Sequence, residues 1–158
     1  MIISLEQYLG PYADHADATP EVRTAATHLL DQVDILLKVM IAAGCVPLLN
    51  GRTDSKIGGS GNGGFRPQSC SVGAPKSKHK TGHGIDLYDP YRELAKWCYA
   101  HPEALHMLGL SMENARWTPS WLHLQDVPPG PPGSAWRLDF VPSSDPPLAA
   151  ALPGQKTV

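Results

Sequence analysis

From Asn50 to Pro75 the chain cannot form a helix or a strand, and this divides everything else it can build. The segment is dominated by Gly, Ser, Asn and Pro, with Gly58-Gly59-Ser60-Gly61-Asn62-Gly63-Gly64 at its centre. Glycine loses the most conformational freedom on ordering, and proline removes a backbone donor and fixes φ, so neither a helix nor a ladder survives such a run. A loop of this length inside a compact domain is usually functional or disordered. It is not a phosphate loop, because no Gly-Lys-Ser/Thr follows and no helix opens after it. Regular structure must therefore lie on either side of it.

On the N-terminal side, Ser4 can cap a short helix through Tyr8, which Gly10-Pro11 stops. Thr19-Pro20-Glu21 is a helix start: a capping hydroxyl, proline at the first helical position and an acid near the positive helix end. Val22, Ala26, Leu29, Val33, Leu36 or Leu37, and Met40 then recur at three- and four-residue steps until Gly44, which predicts one long amphipathic helix. Cys45 to Leu49 reads as a short buried strand. On the C-terminal side, Gly82 to Tyr88 reads as a turn entering a strand. Asp89-Pro90 opens a helix carrying Leu94, Ala95, Trp97 and Cys98, and His101-Pro102-Glu103 opens another that ends near Gly109. Leu110–Met112, Trp121–Gln125 and Trp136–Val141 read as strands. The pattern is α+β, with a small, mainly antiparallel sheet packed with helices. One domain is expected over residues 1–142, followed by a Pro/Ala-rich tail at 143–158.

The formal net charge is −2, and the only basic cluster is Lys76, Lys78 and Lys80, so a nucleic-acid partner is not expected. A solvated loop, or steering of an anionic substrate, accounts for that cluster better. Cys45, Cys70 and Cys98 are odd in number and lack CxxC spacing, which argues for synthesis in a reducing compartment and against a disulfide scaffold. The first residues show no basic region followed by a long apolar run, and no stretch approaches the ~20 apolar residues of a membrane span. The expectation is a chain without a signal peptide, cytoplasmic when made, and not inserted in a membrane.

Chemistry concentrates in Ser77-Lys78-His79-Lys80-Thr81-Gly82-His83-Gly84-Ile85-Asp86 and in Trp121-Leu122-His123. His79, Asp86 and His123 supply two imidazoles and one carboxylate, the ligand count of a catalytic zinc with an open position. Gly82 and Gly84 weaken any helix that would pair His79 with His83, but a glycine-assisted turn can fold His79 back beside the strand carrying Asp86. His123 lies between Leu122 and Leu124, so strand alternation turns it away from their face. His15, His28, His101 and His106 read as surface or capping residues.

The ordered motif Ser77-x-His79-x-x-Gly82-x-Gly84-x-Asp86, followed by Trp121-x-His123, resembles the zinc D-Ala-D-Ala carboxypeptidase family. That family also includes D-Ala-D-Ala dipeptidases and the L-alanyl-D-glutamate endopeptidases of phage endolysins, and it shares its fold with the hedgehog signalling domain. Gly64-Phe65-Arg66-Pro67 is similar to the family's Gly-Tyr-Arg-Ser/Pro segment, and the likeness spans roughly Gln32 to Gln125. Gly84 stands where the family usually has alanine. The resemblance implies a hedgehog-like fold and Zn2+ held by His79, Asp86 and His123. It also implies a peptidoglycan stem-peptide substrate cut beside a D-amino acid, by a carboxypeptidase or endopeptidase, as in phage or prophage cell-wall enzymes. Arg66 would then stabilise the developing oxyanion or hold a substrate carboxylate. Ser77 would bond backbone or orient a ligand, and Trp121 would serve as core or pocket wall. Many members carry a glutamate general base three residues before the last ligand, where this chain has Ser120. Glu113 and Asp126 are the substitutes within reach, Glu113 favoured because strand parity turns Asp126 to the other face. The rival expectation is a non-catalytic, metal-stabilised binding or virion-associated module that kept the ligands and lost the base.

Overall fold

Thr19 and Pro20 open the longest element. The computed structural model describes residues 1–141, so the tail expected from 143 onward lies outside the described residues. Helix α1 is Leu5–Leu9 and helix α2 is Pro20–Ala42. The Thr19 hydroxyl accepts the Val22 N–H at 3.3 Å, and Glu21 sits in the first turn. Ala26, Leu29, Leu30, Val33, Leu36, Leu37 and Met40 are all buried along one face, at ~1.5–3 kcal/mol for each large apolar side chain removed from water. α1 is held by a reciprocal cap between Ser4 and Gln7, and it turns Tyr8 and Leu9 into the same core.

Four strands form one sheet: β1 is Gly84–Tyr88, β2 Ser111–Glu113, β3 Trp121–Gln125 and β4 Asp139–Phe140. Their spatial order is β1-β3-β2-β4. The β1–β3 and β2–β3 pairs are antiparallel and the β2–β4 pair is parallel, so the sheet is mixed. Ile85, Leu87, Met112, Leu122 and Leu124 are buried on the face that joins the helical core. The alternate positions are left for the site.

Helices α3 (Glu93–Ala100) and α4 (Pro102–Met107) follow β1 in the expected order, but α3 starts three residues later than Asp89-Pro90 suggested, after a turn that ends at left-handed Arg92. Asp89 is buried, and its carboxylate accepts the Leu94 and Ala95 N–H groups at 3.1 and 2.9 Å. Asp89→Ala is expected to cost about 1–2 kcal/mol by stranding these donors, lowering the thermal midpoint by several degrees, whereas Asp89→Asn keeps most of the cap. An Asp89→Ala protein melting with the parent would show that the cap contributes nothing.

Two strand expectations are corrected. Cys45–Leu49 is not a strand: Val46, Leu48 and Leu49 are exposed, and nearby only Asn50 makes an isolated bridge, to Ser55. Of Trp136–Val141, only Asp139 and Phe140 pair as a strand. Its remainder follows β2 by single bonds, from Trp136 Nε1 to the Leu110 carbonyl and from Ser111 Oγ to the Arg137 carbonyl, both 2.8 Å. Among the described residues no helix is long and apolar enough to cross a membrane.

The glycine segment is ordered by β1. Tyr88 N–H donates to the Lys56 carbonyl, Gly58 N–H to the Asp86 carbonyl and Asp86 N–H to the Gly63 carbonyl, at 2.8, 2.8 and 2.7 Å. Phe65 N–H donates to the Tyr8 carbonyl at 2.9 Å, tying the segment to the end of α1.

Candidate metal centre

A single helical turn at Lys78–Thr81 brings His79 over the start of β1. Gly82 ends it at φ +80°, and a Cβ there would lie 2.5 Å from the Val22 carbonyl oxygen. That conformation and that closeness to α2 both need glycine. Gly84 lets the turn lie flat on the strand. A Cβ on it would meet the His79 nitrogen at 3.1 Å and His123 Cε1 at 3.2 Å.

Strand register assembles the rest. Asp86 is directly opposite His123 on β1 and β3. Met112 faces Leu124, so continuing that register by one residue sets Glu113 beside His123, and Glu113 in turn faces Phe140 on β4. Asp86, His123, Glu113 and Phe140 therefore form one row across the sheet, on the side away from the leucines.

His123 Nδ1 is 2.8 Å from Asp86 Oδ1, His79 Nε2 is 3.2 Å from the same oxygen, and the two ring nitrogens are 3.2 Å apart. All three residues are buried. His79 Nδ1–H donates to the Gly64 carbonyl at 2.7 Å, which leaves the Nε2 lone pair of the neutral ring aimed into the cluster. His79, Asp86 and His123 could hold a metal ion. The donor set passes two tests of fit: the three atoms converge, and a backbone carbonyl fixes the tautomer of one imidazole as it does for metal-bound histidines.

Electrostatics point the same way. Burial pushes the His79 pKa down, outweighing the raising effect of Asp86, so the ring is held neutral. Burial alone would raise the Asp86 pKa, but its interactions with the His79 and His123 rings hold it well below the usual carboxylate range. Arg66 Nη2 donates to Asp86 Oδ2 at 2.8 Å, and its Nε–H donates to the Asn62 carbonyl. Asp86 thus offers one oxygen to the cluster and the other to Arg66.

The cluster opens into a cleft of about 870 Å³ whose lining includes Arg66, Ser77, Glu113, Trp121, Arg137 and Phe140. Burial raises the Glu113 pKa, with His123 opposing and Asp86 reinforcing that shift. Ser77 makes no side-chain cap to the turn that follows it. Trp121 is half-buried as a wall of the cleft. Ser120 is exposed and is not part of the lining.

Asp126 is elsewhere. Its nearly buried carboxylate lies between His83 Nδ1 at 2.8 Å and His28 Nδ1 at 3.1 Å, away from the cleft, which removes it from the candidates for a base. His83 is likewise spent on Asp126 rather than on the cluster, and His28, exposed as expected, is the second partner of Asp126. Sequence reasoning passed over the Gly64 carbonyl. Its only signal was the adjacency of Gly64 to Arg66, since a backbone acceptor leaves no mark in residue type.

Comparison of the chain with protein-family models, curated proteins and solved structures finds no match.

Proposed function

We propose that this chain is a zinc-dependent metallopeptidase that hydrolyses peptidoglycan stem-peptide bonds adjoining D-amino acids. The observation that carries the metal half of this reading is the donor triangle of His79, Asp86 and His123, with sides of 2.8, 3.2 and 3.2 Å. Ligand atoms on one face of a tetrahedral zinc stand roughly 3.3 Å apart, given bonds of about 2.0–2.1 Å. Two nitrogens and one carboxylate oxygen suit zinc, and three protein ligands are the catalytic count. The substrate half rests on the resemblance of the motif around these ligands.

Zinc held there would polarise a peptide carbonyl and lower the pKa of water. The chain's own residues supply the remainder. Glu113, in the same sheet row as two of the ligands, takes the proton of the attacking water and returns it to the leaving amine. Arg66 fixes the Asp86 carboxylate and keeps its remaining donors for the charge that develops on the carbonyl oxygen. Trp121 and Phe140 shelter the bond being cut from bulk solvent.

The alternative, a metal-stabilised module without chemistry, is favoured by Ser120 in the position of the usual glutamate. Hydrolysis by the parent chain separates the two readings, and Glu113→Gln tests the base. It is expected to keep the metal and lose about 10²- to 10⁴-fold in turnover. Unchanged hydrolysis would remove Glu113 as the base. The same variant gives a pH signature in metal-free protein. Glu113 holds its proton more tightly folded than unfolded, so its contribution to stability falls as pH rises from the ordinary carboxylate range through the raised pKa. Glu113→Gln should therefore gain on the parent in urea midpoint across that window and match it below.

The overall test is metal analysis of protein purified without added metal, paired with hydrolysis of purified peptidoglycan and of control peptides before and after chelation. Activity and fold both untouched by metal removal would end the proposal.

A further inference from the structure

Tyr8 lies on α1, outside the stretch that resembles the peptidase family, yet it bonds to both segments that carry the centre. The residue is 1% exposed, and its hydroxyl donates to the Gly84 carbonyl at 3.0 Å. A Cβ on Gly84 would meet the His79 backbone nitrogen at 3.1 Å and His123 Cε1 at 3.2 Å, so both pack close over this residue. The carbonyl of Tyr8 accepts the Phe65 N–H at 2.9 Å. That bond fixes the peptide following Gly64, whose carbonyl orients His79, and preceding Arg66, which holds Asp86. One residue thus anchors the glycine segment through its main chain and the metal motif through its side chain.

From this geometry we infer that Tyr8 is a positioning residue for the metal centre: its hydroxyl sets the height of the Gly84 peptide beneath His79 and His123, and so the convergence of the donor atoms. The inference rests on the metal-site reading above. Burial raises the phenol pKa, so the hydroxyl stays protonated and remains a donor. Polar partners just outside a metal's ligands act on affinity and ligand orientation more than on the global fold.

The test compares the parent, Tyr8→Phe and Leu105→Val. The last trims a core side chain on α4 and serves as a control for general loss of stability. Zn2+ affinity is read by competition with a chromophoric chelator, and the visible spectrum of Co2+-loaded protein is read beside it. Tyr8→Phe keeps the ring and loses only the hydroxyl. It should bind Zn2+ about 10-fold or more weakly and show an altered Co2+ spectrum, while Leu105→Val lowers the melting temperature and leaves both unchanged. Zn2+ affinity within twofold of the parent in Tyr8→Phe, with an unaltered spectrum, overturns the inference and leaves the metal-site reading standing. Equal weakening in Leu105→Val overturns it too. A parent chain that binds no Zn2+ overturns both together.

Discussion

His123→Ala is expected to purify without stoichiometric zinc, to lose hydrolysis by about 10³-fold or more, and to keep its helices. His123 supplies one corner of the donor triangle and is the partner closest to the shared Asp86 oxygen, at 2.8 Å. Removing it leaves one imidazole and one carboxylate, too few to hold zinc against water. The rate loss follows because polarisation by a metal accounts for several kcal/mol of transition-state stabilisation, and each 1.4 kcal/mol is about tenfold. The fold should survive, since the buried face of α2 and its Thr19 cap make no use of this side chain. The checks are elemental analysis, peptidoglycan hydrolysis and far-ultraviolet circular dichroism on one preparation. Stoichiometric zinc retained in the variant would refute the ligand set.

Gly64→Ala should be the most damaging single methyl group among the described glycines. A Cβ at this position would stand 2.0 Å from the Tyr8 carbonyl oxygen and 2.8 Å from its carbon, and both are backbone atoms that no rotamer change can move aside. The segment must retreat from α1, breaking the Phe65-to-Tyr8 hydrogen bond and drawing the Gly64 carbonyl away from His79. A cost of about 2–4 kcal/mol is expected, with a thermal midpoint lower by roughly 5–15 °C and weaker metal binding. Gly51→Ala is the matched control: nothing lies within 4 Å of its Cβ and its φ is not positive, so a change within about 0.5 kcal/mol is expected. Equal melting temperatures for the two variants would contradict the tight approach of the glycine segment to α1.

The parts of this fold that could be read from sequence are those whose signals are local. Thr19-Pro20 and the spacing of Ala26, Leu29, Val33 and Met40 located α2, because caps and periodicity act within a few residues. Trp121–Gln125 was legible to the residue, since alternation with a buried partner on each side leaves little freedom of register. Asp89-Pro90 marked the approach to α3 but not its first residue, because Asp89 reaches the Leu94 and Ala95 amides across an intervening turn. The convergence of His79, Asp86 and His123 was expected from ligand chemistry together with the family resemblance, and the geometry brings them together. What failed depended on distant partners. Cys45–Leu49 has the apolar content of a strand but nothing to pair with, because the outer side of β1 is occupied by residues 56–63. Trp136–Val141 alternates well but meets β2 over only two residues. The part played by Tyr8 is invisible in the motif, since it acts from α1 across 76 positions of sequence.

The glycine segment has one more effect, through its bonds along β1. A sheet's outermost strand normally presents a row of unsatisfied amides and carbonyls on which a foreign chain can add, the first step toward fibrils and amorphous precipitate. Here residues 56–63 cap that row, and at the opposite margin β4 offers only two residues. The flexibility that keeps the segment from becoming a strand also lets it shield one, so damage to these glycines should surface as poor solubility as well as a disturbed His79–Asp86–His123 cluster.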